Sequence, residues 1–182
     1  MCDQEHEPQI SVCGQIGNIM HAETTLFFLI YQPMIVIAHN IRSLHNVGSI
    51  FRSCDVFGVD KLYLTGITGV PPRKEIAKVA LGSEHRVLWE YVKDVLELTS
   101  TLKREGCQII GLEHHRQAKS IDLVCPVGPY ALILGNEVEG IPAEVLTHCD
   151  LLVEISMPGR KQSLNVSVAT GIALFALTRS PR

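Results

Sequence analysis

The chain has 182 residues, about the size of one ordinary domain, which excludes a large multidomain assembly. Hydrophobic residues make up 46% of the sequence and charged residues 19%, a composition that supports a buried core and excludes a disordered chain. The formal net charge of -3 removes the argument for nucleic-acid binding that a basic chain would provide. Any contact with a nucleic acid must therefore come from a local basic patch.

Six cysteines are scattered through the chain without a C-x-x-C spacing. Because no secretory signal accompanies them, we expect reduced thiols in a cytoplasmic protein rather than a disulfide framework. The apolar run at 26–31 is far shorter than the ~20 residues of a membrane span. No group of Cys and His residues has metal-ligand spacing. We therefore expect a soluble protein without a membrane segment or a metal.

Residues 1–33 lack clear periodicity and end at Pro33, so we interpret them as an N-terminal extension of a domain at 34–182. After Pro33, short β-rich runs alternate with helical runs. This alternation is typical of an α/β fold with a mostly parallel sheet flanked by helices. The predicted strands are 34–38, 61–65, 86–91, 108–112, 130–134 and 151–155.

Helical periodicity fills the gaps between these strands. In the first helix we predict Asn46 as the N-cap and Gly58 as the C-cap. The last helix is almost wholly apolar and is either deeply buried or part of a subunit interface. The predicted helices are 47–57, 95–102, a short one that opens at Pro142, and 166–177.

Three strand-to-helix junctions are unusually rich in polar residues and glycines. The first junction, 39–52, contains many polar groups and leads into a predicted helix that includes Arg52. In the second, 132–142, an apolar strand is followed by Gly-Asn-Glu. The third, 155–167, places a glycine and two cations before a Ser-x-Asn pair. Taken singly, they could be a capped helix with a surface arginine, a tight turn and an N-cap. Because ligands bind beyond the carboxyl ends of parallel strands, they could also form one site.

The junctions contain three motifs in a fixed order. They are Asn46-x-Gly48-x-x-x-Arg52, Leu134-Gly-Asn-Glu-x-x-Gly140 and Met157-x-Gly-x-x-x-Ser163-Leu-Asn-Val-Ser167. Together they resemble the signature motifs of the SpoU (TrmH) family of RNA 2'-O-ribose methyltransferases, in the SPOUT class. The resemblance covers residues 34 to about 177, and the segment 75–84 resembles the family's loop after the second strand. It implies a SPOUT-type α/β fold whose C-terminal part forms a deep trefoil knot.

The resemblance also implies a cofactor, S-adenosyl-L-methionine, and a homodimer that pairs through helices near the site. Arg52 matches the family's catalytic arginine, which would lie beside the ribose 2'-hydroxyl and the adjacent phosphate. We favour an electrostatic role for Arg52, because a guanidinium is effectively never neutral. The resemblance implies that the cofactor is bound by seven residues: Leu112, Leu134, Gly135, Asn136, Ile155, Met157 and Leu164.

Four further residues match positions of the same catalytic pocket: Asn46, Glu137, Ser163 and Asn165. Asn46 would orient the arginine or the ribose. Glu137 would order Arg52, accept a proton through water, or cap the helix that follows it.

Basic residues near the active edge could attract RNA despite the acidic total, although solvated surface charge explains any one of them equally. They are Arg42, Arg73, Lys74, Lys78, Arg86, Arg160 and Lys161. Among RNAs we expect tRNA ahead of rRNA, because several rRNA members of the family carry an extra N-terminal RNA-binding domain that this sequence lacks. The alternatives are a catalytically idle SPOUT-fold protein that binds RNA or assists ribosome assembly, and a small-molecule enzyme that uses the same edge.

Overall fold

The structure, a computed structural model, describes residues 32–161 and 163–179. Apart from Gln32 and Pro33, the predicted N-terminal extension lies outside the described residues. The predicted fold class is confirmed, because the described strands form one seven-stranded parallel sheet with helices packed on it. In the described part of the chain, no helix is both long enough and apolar enough to cross a membrane.

Strands and helices alternate along the chain. The strands are β1 (Met34–His39), β2 (Lys61–Thr65), β3 (Trp89–Val92), β4 (Gln108–Leu112), β5 (Lys119–Ser120), β6 (Tyr130–Leu134) and β7 (Leu151–Glu154). The helices are α1 (Leu44–Phe57), α2 (Lys74–Ala80), α3 (Val95–Arg104), α4 (Ala143–Leu146) and α5 (Val166–Thr178). Short 3-10 turns cover Ser83–His85 and Ile121–Leu123.

The strand order in the sheet is β3-β2-β1-β6-β4-β7-β5. β1 therefore lies between β2 and β6, and Ala38 pairs with Leu64 on one side and with Leu134 on the other. Leu112 of β4 pairs in turn with Leu134 and with Val153 of β7. Because all these strands are parallel, the loops that leave them emerge at the same edge of the sheet.

The sheet buries a separate apolar cluster on each face, since alternate side chains of a strand point to opposite sides. Val36 of β1 belongs to the cluster that contains Phe51 of α1. Its neighbour Ile37 belongs to the other cluster, with Leu98 of α3. β1 is buried along its whole length, as expected for a central strand of a parallel sheet.

Helix α1 begins three residues earlier than predicted. Ser43 is its N-cap: the Ser43 backbone is extended, and its hydroxyl accepts a hydrogen bond from the Asn46 amide at 3.3 Å. The prediction of Asn46 as N-cap is therefore wrong, and Asn46 lies within the first turn. The predicted C-cap is confirmed, because Gly58 adopts a left-handed conformation with φ 66°.

Two other segments differ from prediction. The segment 75–84, which resembles the family's loop after the second strand, is largely helical, because Lys74–Ala80 forms helix α2. It buries Ile76 and Ala80 against α1, where a Cβ at Gly48 would overlap the Ile76 carbonyl. Since this close approach depends on a residue far from α2 in sequence, local periodicity does not reveal it. The strand predicted at 86–91 begins later, as β3, because Ser83–His85 forms a 3-10 turn before it.

Candidate active site

Three loops at the carboxyl edge of the sheet lie at the three motifs: the first loop directly precedes the helix that carries the first motif, and the second and third loops contain most of the other two. The first loop, 40–43, joins β1 to α1; the second loop, 135–142, joins β6 to α4; and the third loop, 155–165, joins β7 to α5. Glu137 connects the second loop to the first. Its Oε2 accepts a hydrogen bond from the Arg42 amide at 3.0 Å, and its Oε1 accepts one from the Ser43 amide at 3.0 Å.

The Glu137 carboxylate is held in its charged form. Burial alone would raise its pKa, but hydrogen bonds from the Arg42 and Ser43 amides and the Asn46 side chain outweigh burial and lower the pKa below the usual 4.5. A low pKa makes Glu137 a poor proton acceptor. The other two predicted roles were to order Arg52 and to cap the helix that follows Glu137. The hydrogen bonds of the Glu137 oxygens go instead to the start of α1. Glu137 is therefore a clamp between two loops, a role that the sequence did not predict.

Asn46 connects Glu137 to the third loop. Its Nδ2 donates to Glu137 Oε1 at 2.9 Å, and its Oδ1 accepts a hydrogen bond from Asn165 Nδ2 at 3.2 Å. Asn165 is also the N-cap of α5, because its Oδ1 accepts a hydrogen bond from the Ser167 amide at 2.9 Å. One side chain from each motif thus joins a single hydrogen-bonded chain within one protomer.

A cleft opens beside this chain. It is lined by Ser163 and by all seven residues predicted to bind the cofactor, namely Leu112, Leu134, Gly135, Asn136, Ile155, Met157 and Leu164. The lining combines apolar side chains with backbone atoms of the second loop, an environment that suits a flat heterocycle. Three carboxylates, those of Glu113, Glu137 and Glu154, also line the cleft.

The second loop is closed tightly on itself. Asn136 and Gly140 exchange backbone hydrogen bonds of 3.0 Å in both directions. A Cβ at Gly135 would overlap backbone atoms of Gly140 and Ile141. Gly140 has φ 69°, which a side chain would disfavour. Glycine at both positions therefore lets the loop fold beside the cleft.

Glu113 is a site residue that the sequence analysis missed. Its Oε2 accepts a hydrogen bond from the Ile141 amide at 2.8 Å and so holds the end of the second loop. The available signal was its position, because a carboxylate that directly follows β4 must lie at the carboxyl edge of the sheet.

Arg52 lies on α1, six residues after Asn46, which is about 9 Å along the helix axis. It is exposed and, within residues 32–161 and 163–179, it is not among the residues that line the cleft of one protomer. Its catalytic role stays a prediction.

The seven basic residues near the active edge are all exposed: Arg42, Arg73, Lys74, Lys78, Arg86, Arg160 and Lys161. Arg86 also forms an ion pair with Asp55 at 2.5 Å, so its charge is partly compensated. In the described part of the chain, no group of three His, Cys, Asp or Glu side chains could hold a metal ion.

The sequence model of the SpoU rRNA Methylase family matches residues 33–175. The chain belongs to this family. The "23S rRNA (guanosine-2'-O-)-methyltransferase RlmB" of Xanthomonas axonopodis is 32% identical over 150 residues, which cover 81% of this chain and 59% of the relative. The "tRNA (guanosine(18)-2'-O)-methyltransferase" of Aquifex aeolicus is 34% identical over 148 residues, or 81% of this chain and 70% of the relative. This SpoU family member therefore spans about three fifths of the first relative's length.

Solved structures of the SpoU family have the same fold. The A. aeolicus TrmH/SpoU tRNA modifying enzyme superposes with a TM-score of 0.75 at 32% identity, covering 85% of this chain and 78% of the other. The AdoMet-bound rRNA methyltransferase from Sinorhizobium meliloti gives 0.70 at 27% identity, covering 79% of this chain and 55% of the other. The trefoil knot that the resemblance implies for this SpoU family member stays a prediction.

Proposed function

We propose that this SpoU family member methylates ribose 2'-hydroxyls of structured RNA with S-adenosyl-L-methionine, with tRNA favoured over rRNA. The observation that carries the proposal is the chain of hydrogen bonds from Glu137 through Asn46 to Asn165, which brings the three motifs together beside one cleft. The tRNA and rRNA enzymes among its relatives share 34% and 32% of their aligned residues with it.

The residues present fit the proposed cofactor. The cleft offers apolar side chains such as Leu134 and Met157 for an adenine ring, and Gly135 lines it with main-chain atoms alone. The carboxylates of Glu113, Glu137 and Glu154 complement a cation. When bound, S-adenosylmethionine supplies an electrophilic methyl group on a positively charged sulfur.

The chain's own residues would orient the RNA and stabilise charge. A ribose hydroxyl is a weak nucleophile until its developing negative charge is stabilised. In the proposed reaction, Arg52 supplies that positive charge and holds the neighbouring phosphate, since a guanidinium pairs well with phosphate. Glu137 keeps the first loop against the second, and Asn46 and Asn165 fix the third loop.

We propose that two copies pair through α5. Its exposed face carries Val168 at 50% exposure, Ile172 at 39% and Phe175 at 51%. An exposed apolar stripe of this kind marks an interaction surface. Pairing there would place a second copy beside the third loop, which leads into α5. We also propose a cytoplasmic location, in keeping with the free thiols of Cys54, Cys107, Cys125 and Cys149.

Transfer of tritiated methyl groups tests the proposed activity. The full chain is incubated with labelled S-adenosylmethionine and, in separate reactions, with unmethylated tRNA and rRNA. We expect label in tRNA within alkali-resistant dinucleotides, because a 2'-O-methyl group removes the nucleophile that cleaves the neighbouring phosphodiester. Calorimetry with the cofactor is run in parallel. Cofactor binding with no label in either RNA would instead support the catalytically idle alternative.

A further inference from the structure

A second hydrogen-bonded chain begins at residues that do not line the cleft and reaches the second loop, which does. It starts at His39, the last residue of β1, which is only 7% exposed. His39 Nδ1 lies 2.9 Å from Thr65 Oγ1, and His39 Nε2 lies 2.8 Å from Asn40 Nδ2. Both ring nitrogens are therefore engaged, one by β2 and one by the first loop.

Asn40 also accepts hydrogen bonds from two other segments, the one after β2 and the second loop. Its side-chain Oδ1 accepts a hydrogen bond from the Ile67 amide at 3.0 Å, in the segment after β2. Its carbonyl accepts one from Asn136 Nδ2 at 2.8 Å, in the second loop. Asn40 has φ 57°, an uncommon conformation for a residue with a side chain, so the first loop turns sharply at this point.

The protonation state of His39 follows from these partners. The Ile67 amide is a donor, so the Asn40 oxygen must face it and the Asn40 NH2 group must face His39. His39 Nε2 must then accept, which leaves the ring proton on Nδ1 for donation to Thr65 Oγ1. A charged imidazolium would place an N–H against the Asn40 NH2 group.

The surroundings favour this neutral ring. Burial lowers the pKa of His39 from 6.5, and the charge of Glu144 on α4 raises it in part. The groups that contact the ring from β2 and the first loop, Thr65 and Asn40, are uncharged.

We propose that His39, as a neutral imidazole, is a positioning residue of the candidate site and acts through Asn40 on the second loop. The inference rests on the proposed function for its consequence in catalysis. The second loop is the element affected, because the Asn136 side chain bridges the two loops. Asn136 Nδ2 donates to the Asn40 carbonyl, and Asn136 Oδ1 accepts a hydrogen bond from the Val138 amide at 2.8 Å. Glu137, which clamps the first loop, lies between Asn136 and Val138 in the sequence.

Two substitutions separate this role from simple packing. His39→Gln can place an amide oxygen near the position of Nε2 and keeps an acceptor for Asn40 without a titrating group. His39→Asn is too short to reach Asn40. His85→Gln is the control, since the His85 side chain is 80% exposed.

The first measurement does not need activity. In ¹⁵N NMR of the full chain at neutral pH, we expect the His39 ring to be protonated at Nδ1. In hydrogen exchange, we expect the Ile67 and Val138 amides to exchange about tenfold faster in His39→Asn and to stay within about twofold of the wild type in His39→Gln and His85→Gln. A ring protonated at Nε2, or unchanged exchange at both amides in His39→Asn, would overturn the inference.

The second measurement is the pH profile of methyl transfer between about pH 5 and 8. We expect the rates of the wild type and of His85→Gln to decrease as the pH is lowered beneath 6.5, because the His39 ring becomes protonated there. This decrease should be absent in His39→Gln. An identical fall in His39→Gln would overturn the inference. A wild type without methyl transfer, but with the expected NMR and exchange results, would overturn the proposed function and support the positioning of the loop by His39.

Discussion

Asn46 Nδ2 donates a hydrogen bond of 2.9 Å to Glu137 Oε1 across 91 residues of sequence. The contact exists because β1 and β6 are neighbours in the sheet, so the loops that follow them meet. Through it and the hydrogen bonds from the Arg42 and Ser43 amides, a carboxylate in the second motif is held against the start of α1.

We expect Glu137→Gln to destabilise the fold. The amide replaces one acceptor oxygen with a donor, which would face the N–H of Arg42 or the donor groups of Ser43 and Asn46. Loss of a hydrogen bond to a charged group costs about 2 kcal/mol, which urea unfolding can measure. Glu139→Gln, at an exposed position in the same loop, should change the free energy of unfolding by less than about 0.5 kcal/mol.

Comparison of the wild type with Glu137→Gln gives a pH dependence with a defined sign. The pKa of Glu137 in the folded protein is below 4.5, so its contribution is complete above pH 4.5 and is lost as the pH falls through the lowered value. The wild type should therefore lose more stability than Glu137→Gln on acidification. Parallel stability curves for the two proteins would contradict a clamp held by the charged carboxylate.

Gly135→Ala tests the closure of the second loop. A Cβ at this position would overlap the backbone of Gly140 and Ile141, which cannot move aside as a flexible side chain can. We expect a loss of about 1–3 kcal/mol in stability and weaker cofactor binding by calorimetry. Gly159→Ala in the third loop meets no atom within 4 Å and is the matched control. Equal behaviour of the two variants would show that the second loop has room for a side chain.

Arg52→Ala should abolish methyl transfer and leave folding intact, because Arg52 is exposed on α1. Removal of a charge that stabilises the transition state costs a factor of about 10² or more in rate, whereas cofactor binding should remain measurable. Arg104→Ala is the control, since Arg104 is exposed on α3 and its guanidinium donates to Thr101. Full activity of Arg52→Ala would remove the arginine from the mechanism.

RNA binding should depend steeply on salt if the basic residues form a docking patch. Between about 50 and 200 mM salt we expect the affinity for RNA to fall by at least tenfold, as bound counterions are released. The double variant Arg73→Ala/Lys74→Ala should reduce the slope of log K against log salt by about 1 per cation removed. Arg104→Ala should leave the slope unchanged. A flat salt response of the wild type would contradict a phosphate-binding patch.

Val168→Asp tests pairing through α5. Val168 is 50% exposed and lies in the first turn of the helix, where a negative charge favours the helix itself. We therefore expect a folded monomer by sedimentation, together with loss of methyl transfer. Leu123→Asp, at a position that is 80% exposed in a 3-10 turn, should leave the assembly state unchanged. A wild type that is already monomeric would exclude the proposed dimer.

Local sequence patterns were sufficient to predict those strands and helix ends that depend mainly on their own residues. The apolar runs predicted β1, β2, β4 and β6 closely, and Gly58 marked the end of α1, because burial and left-handed backbone are properties of single segments. Helix α2 escaped prediction because its buried face, Ile76 and Ala80, is defined by α1.

By itself, the sequence determined the alternation of strands and helices, the three motifs and some of the residues around the cleft, although it did not indicate Glu113. Only the tertiary structure decided the long-range contacts of the site: Glu137 clamps the first loop, and Asn46 links the other two motifs. The reason is physical. The hydrogen-bond partners of a side chain depend on which strands lie side by side, and the order of strands in a parallel sheet differs from their order along the chain.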